Sequence, residues 1–248
     1  MFDLAALPGN THVATVSANA PRLDLYVHIH KALRQFMSDT VQRLGAMDVA
    51  DAVERSTALD AVDALLRQLR THLQHENDFI HTAIEARRPG GARHTADDHV
   101  EHVDAIANLE DEARALRDAR PDQRAELALR LYRHLAAFVG ENFVHMQVEE
   151  TENNAALWAL YSDDELAQIH GRLMATIAPP EMALTVRWMA AALSVPELAG
   201  LFAEVRHQAP PAAFEALLDV AGGRLDDRRW AQLCRALGRA PAPGLVTG

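Results

Sequence analysis

The chain has 248 residues and a formal net charge of −11, long enough for one or two domains with a full core. No run of Lys and Arg makes the basic patch of a nucleic-acid binder, and no apolar run approaches the roughly 18 residues of a membrane span. The single cysteine, Cys234, excludes a disulfide framework or a thiolate metal site within one chain.

The first twenty residues lack the basic start and apolar h-region of a signal peptide, so a cytoplasmic location is expected. Helical periodicity then dominates, in keeping with 5% aromatics and plentiful Ala and Leu. A first helix is predicted over about 21–46, with Pro21 in its first turn. A second runs over about 50–87 and stops at Arg87-Arg88-Pro89-Gly90-Gly91. A third covers about 96–118, and a fourth starts near Pro121 and reaches about 153. The linkers are short, so the expected fold is all-α: an antiparallel up-down four-helix bundle. Shorter amphipathic helices follow, punctuated by Pro179-Pro180, Pro196, Pro210-Pro211 and Gly222-Gly223, with a loose tail after Gly238. The expected division is an N-terminal segment 1–20, a bundle 21–160 and a C-terminal helical region 161–248.

There are 13 histidines, and nine of them fall on predicted helices between 28 and 145. Two pairs stand out, His72 with Glu76 and His145 with Glu149. Residues i and i+4 lie about 40° apart on a helix, so each imidazole and its carboxylate point the same way, a turn apart. On the second helix Leu65, Leu69, Ile80 and Ala83 share the face of His72; on the fourth, Leu131, Leu135 and Phe138 share that of His145. A charged Glu in an apolar stripe is costly unless paired or metal-bound. Imidazole with carboxylate suits iron, and also zinc or manganese.

On the first helix the stripe of Leu23, Val27, Leu33, Met37, Val41 and Leu44 is centred near His30, which leaves His28 on the surface. On the third, His99 and His102 both border the inner face, and geometry does not choose between them. His81 with Glu85 repeats the spacing, but a wheel of 100° per residue turns His81 about 180° from His72 and assigns it to the surface or to a contact with the C-terminal region. His75 sits at the stripe edge, in reach of a supporting hydrogen bond. His134 shares the face of His145 but lies about 16 Å along the axis, too far to share an ion. Tyr26 sits on the inner face one turn before His30, as a core residue or as a donor toward an iron-bound species.

The segments IHKALR around His30, HLQHENDFIHTAIE around His72, DDHVEH around His99 and HMQVEETENNAALWALYSDDEL around His145 resemble the hemerythrin-like, His-His-Glu cation-binding family over about residues 22–165. The resemblance implies a non-haem centre of two iron ions, ferrous or ferric, that an oxo or hydroxo group can bridge. It implies His30, His72, His99 and His145 as terminal ligands, with Glu76 and Glu149 as bridging carboxylates. The oxygen carriers of the family have a second histidine four residues on along the third helix, where this chain has Val103. One iron is then a ligand short, unless His102 or water completes it.

The expected function is binding or sensing of a small ligand (O2, NO or iron itself). The alternatives are a di-iron oxidase, peroxidase or NO-handling enzyme, and iron storage or delivery, including repair of iron–sulfur centres. The apolar faces of the C-terminal helices (Leu184, Trp188 and Ala191; Leu198 and Phe202) are expected to pack against the bundle, with a homodimer surface or a partner groove as the alternative.

Overall fold

A computed structural model describes residues 22–240. The N-terminal segment 1–20, Pro21 and the end of the tail lie outside the described residues. Among the described residues the fold is all-helical, with no strand, and no helix is long and apolar enough to cross a membrane.

The first helix, α1, spans Val27–Ala46. It begins later than Pro21 because the Asp24 carboxylate accepts from the backbone N–H groups of Tyr26 (2.8 Å) and Val27 (3.0 Å), holding the preceding residues in a turn. The second predicted helix is three consecutive pieces: α2 (Ala52–His75), a π turn (Glu76–His81) and α3 (Thr82–Arg87). Asp51 caps α2 by accepting from Val53 and Glu54 N–H, worth about 0.5–2 kcal/mol. The stop at Pro89-Gly90-Gly91 is as expected; Gly90 has φ +80°, which favours glycine. The third helix is α4 (Arg93–Arg117). The fourth is α5 (Arg124–Val148), a second π turn (Glu149–Asn153) and α6 (Asn154–Leu160).

Helices α1, α2, α4 and α5 pack as a ring, each against two of the others. Leu33, Met37, Val62, Leu65, Leu66, Ile106, Leu116, Leu131 and Leu135, each at most 2% exposed, fill it. Each such side chain contributes about 1.5–3 kcal/mol by leaving water.

The end of the ring nearest the two π turns is closed by α6 and by α7 (Asp163–Met174). Ile80, Ile84, Leu157, Leu166 and Ile169 form a small apolar core there. Arg22 pins the cap to the start of the chain through Asp163 (2.7 Å) and the Tyr161 carbonyl (2.7 Å).

The remaining helices are α8 (Pro179–Ala192), α9 (Val195–Gln208), α10 (Pro211–Gly222) and α11 (Asp227–Ala236). They share a second core of Val186, Leu193, Leu198, Phe202, Phe214, Leu218 and Leu233. Helix α8 also lies along α1, where Trp188 stacks on Phe36 at 4.2 Å between ring centroids. Next to that stack Lys31 of α1 pairs with Glu197 of α9 at 2.5 Å. The apolar faces of Trp188, Leu198 and Phe202 are thus buried within the chain itself.

Candidate metal centre

Each His-x-x-x-Glu pair straddles the same junction: the histidine lies in the last turn of an α-helix and the glutamate is the first residue of a π turn. With His30 from α1 and His99 from α4, they meet in one cluster inside the ring. His30, Glu76, His99, His145 and Glu149 are 0–5% exposed, and the His72 side chain is 11% exposed.

The six side chains face one another through Nε2 and carboxylate oxygens. Glu76 Oε1 lies 3.2 Å from His72 Nε2 and 3.4 Å from His30 Nε2, while its Oε2 lies 3.6 Å from His99 Nε2. Glu149 Oε1 is 3.6 Å from His99 Nε2; its Oε2 is 3.4 Å from His145 Nε2 and 3.5 Å from His30 Nε2. The cluster divides into two overlapping groups, each with donor atoms within 4.8 Å of one another. One is Glu76, His99, His145 and Glu149; the other is His30, His72 and Glu76. Glu76 belongs to both.

Three of the histidines are held from behind. His30 Nδ1 donates to Glu150 Oε1 (3.0 Å), His145 Nδ1 to Asp98 Oδ2 (3.0 Å) and His99 Nδ1 to Asn77 Oδ1 (2.8 Å). Each bond keeps a proton on Nδ1 and turns Nε2 into the cluster, the arrangement that orients imidazole ligands. Arg34 donates to Glu150 at 2.6 Å and holds that carboxylate in turn.

Without an ion the charges compensate one another. Burial lowers the pKa of His30, but the Glu150 and Glu76 carboxylates outweigh it and raise it to about 9. Burial likewise lowers that of His145, and Glu149 and Asp98 raise it to about 9. Burial takes His72 down to about 4. Burial raises Glu76 and Glu149, yet their imidazole neighbours bring both below the usual carboxylate range. Burial, reinforced by the Glu149 and Glu76 charges, raises the Tyr26 hydroxyl well above its ordinary value.

The compensation is incomplete. Both oxygens of Glu149, Oε2 of Glu76 and Nε2 of His72 are buried with no hydrogen-bond partner. Buried polar atoms without partners are uncommon in folded proteins. Two donors at right angles on an ion with bonds of about 2.1 Å stand about 3.0 Å apart, and His99 Nε2 and His145 Nε2 are 3.0 Å apart. The donor set and its spacing therefore fit bound metal.

A family profile, the hemerythrin HHE cation binding domain, matches residues 22–157, more than half of the chain. The chain belongs to the hemerythrin HHE cation-binding family. No curated protein matches the sequence significantly. The hemerythrin match spans all six cluster residues and ends within α6, before α7–α11.

Within this hemerythrin domain one sequence expectation is overturned. His81 is not on the surface: it is 5% exposed, its ring stacks on that of His99 at 4.7 Å, and its Nε2 lies 3.9 Å from Glu149 Oε1. An α-helix carries a residue five positions on by about 500°, away from Glu76. A π turn, closed by i→i+5 bonds, brings it back to nearly the same side. His28, also assigned to the surface, is half-buried. His75 turns toward Glu181 of α8 (3.9 Å) rather than supporting the cluster. His134 is remote, paired with Glu112 at 2.8 Å.

His102 is 5% exposed and packs edge-on against His145 at 4.9 Å between centroids. Its Nδ1 has no partner, and burial holds its pKa down at about 4. It lines a groove of about 580 Å³ between α4 and α5, together with His94, Asp98, Glu101, Glu141 and His145. Asp98, Asn77 and Glu150 were not foreseen as supports, because none shares a simple spacing with the histidine it holds.

Proposed function

We propose that this hemerythrin-family domain holds two iron ions, one between His30, His72 and Glu76 and the other between Glu76, His99, His145 and Glu149, and uses them to bind or sense a small ligand. The observation that carries this reading is the pair of buried carboxylates with partnerless oxygens, ringed by imidazoles turned inward on Nε2. Bound iron supplies open coordination positions and a reversible Fe2+/Fe3+ couple, the chemistry that O2 and NO require.

The protein's own groups do the rest. Glu150, Asp98 and Asn77 fix the rings of His30, His145 and His99, so the site is preorganised before metal arrives. The protons on His30 and His145 leave when metal binds, since imidazole must be neutral to ligate. Tyr26, 1% exposed with its ring 5.1 Å from that of His30, keeps its proton and places a hydroxyl on the His30 side. The apolar cap of α6 and α7 excludes water from the π-turn end.

Iron storage or delivery is the second reading, and the α4–α5 groove favours it. His94, Asp98, Glu101 and Glu141 line a path whose floor is His145, and an acidic path suits a cation in transit.

Anaerobic titration of metal-free protein with ferrous iron tests the proposal. The expected result is about two irons per chain, bound by the native protein and not by a Glu76→Ala/Glu149→Ala variant. Absorption changes on adding O2 that reverse on degassing support carriage or sensing. Transfer of the iron to an apo acceptor favours delivery. If no iron binds, or the double variant binds it equally well, the proposal fails.

A further inference from the structure

The two halves of the cluster differ in what flanks them. Beside His30 and His72 stands Tyr26. Beside His99 and His145 stand two further imidazoles, His81 and His102, on rings stacked or packed against the first pair. Only His81 approaches the shared carboxylates: its Nε2 is 3.9 Å from Glu149 Oε1, whereas among the described residues His102 makes no such approach within 4.0 Å.

His81 also has an unmet bond. Its Nε2 is 3.1 Å from Thr95 Oγ1, and its Nδ1 is buried without a partner. Thr95 Oγ1 lies 3.2 Å from the Ala92 carbonyl and receives a bond from Asn153 Nδ2 at 3.1 Å. A hydroxyl has one proton to give. If that proton goes to Ala92, His81 must donate Nε2–H to Thr95, and its Nδ1 lone pair is stranded. If it goes to His81 Nε2, the Nδ1–H is stranded instead. Either way Nδ1 stays without a partner, and ligation through Nε2 leaves it so; the pointer to a metal is Nε2 itself, 3.9 Å from Glu149 Oε1 on a ring stacked against His99.

The π turn is what creates this situation. It occupies Glu76–His81, starting at one proposed ligand and ending at this histidine. The Thr82 hydroxyl bonds the Asn77 carbonyl five residues back (3.0 Å), which helps close the widened turn. Such turns inside α-helices cluster at functional sites.

Building on the two-iron reading, we infer that His81 is an additional metal ligand: through Nε2, in exchange for Thr95, it gives the ion of His99, His145 and Glu149 a third imidazole.

Loading the protein with Co2+ and recording its paramagnetic proton NMR spectrum tests this. Each coordinated histidine contributes one strongly shifted, solvent-exchangeable ring N–H. The native protein should show five such signals, for His30, His72, His81, His99 and His145. His81→Gln should lose one of them and bind one of its two ions about 100-fold or more weakly, at or beyond the usual range for losing a supporting group. Thr95→Val removes the competing hydroxyl and should keep all five signals with metal affinity equal or higher.

Four signals in the native protein overturn the inference, as does a His81→Gln protein with an unchanged spectrum. Thr95→Val weakening metal as much as His81→Gln also overturns it, because His81 would then act only through Thr95. Should His81→Gln fail to fold by circular dichroism, the native signal count still decides. If the native protein binds no Co2+ at all, it is the two-metal reading itself that fails.

Discussion

The histidine-bearing ring and the C-terminal helices are made from the same Leu, Ala and Phe, yet they bury different things. Between Pro179 and Ala240 the only buried polar residue among the described ones is Thr185, and Leu198, Phe202, Leu218 and Leu233 close a dry core. One end of the ring instead buries Glu76, Glu149 and five histidines, leaving carboxylate oxygens without partners. A dry core stabilises its helices by apolar burial alone, under any solution condition that keeps water out. A core of ionisable groups stabilises them conditionally, on protonation and on what ion is bound.

The largest expected effect tests the dry side. Phe202→Ala should destabilise the protein by about 3–5 kcal/mol in chemical denaturation, through lost burial and a cavity, while the protein binds as much iron as before. Loss of iron capacity in that variant would show that the two cores are not separable.

The next effect tests the conditional side. Ferrous iron at a hundredfold above its Kd should raise stability by about 2.7 kcal/mol for each independent site. The gain should vanish in Glu76→Ala/Glu149→Ala and persist in Phe202→Ala. An equal gain in the carboxylate double variant would place the bound iron elsewhere.

The last test is a pH profile. In the metal-free protein His30 and His145 have pKa values raised to about 9. Their contribution is complete below the ordinary 6.5 and is lost as pH rises through about 9. His72 and His102 are lowered to about 4, so their burial costs stability as pH falls from 6.5 toward 4. Metal-free melting temperature should therefore peak near pH 6.5 and fall on both sides, and saturating metal should flatten the alkaline limb. A metal-free alkaline limb as flat as the loaded one would contradict the protonated state of His30 and His145.

Much of this was legible in the sequence because helices convert spacing into direction. His72 with Glu76 and His145 with Glu149 lie within one helical turn, where a 100° wheel is accurate, and the stripe around His30 was equally regular; on the third helix the wheel left His99 and His102 open, and only the family resemblance chose His99. The structure brings those six residues together; their role as ligands awaits the titration. Past Glu76 the wheel fails. A π turn changes the phase, and the residue types in Glu76–His81 carry no pattern that announces one. His81 was therefore turned the wrong way. Asp98, Asn77 and Glu150 were out of reach for another reason: each of their bonds crosses from one helix to another. The packing of α8 on the bundle was expected from its apolar face, though such a face does not name the helix it meets, here α1.

The pair of Lys31 with Glu197 has a consequence for covalent chemistry. Lys31 is the only lysine in this sequence, so every side-chain amine reagent, acyl donor or lysine-cleaving protease meets a single address. That amine is 40% exposed and bound to a carboxylate of α9, one residue along α1 from His30. Acylating it discharges the one ion pair that joins those two helices. The same address gives an attachment point for a single dye or crosslinker, within a turn of His30 in the candidate site and at the seam between the two cores.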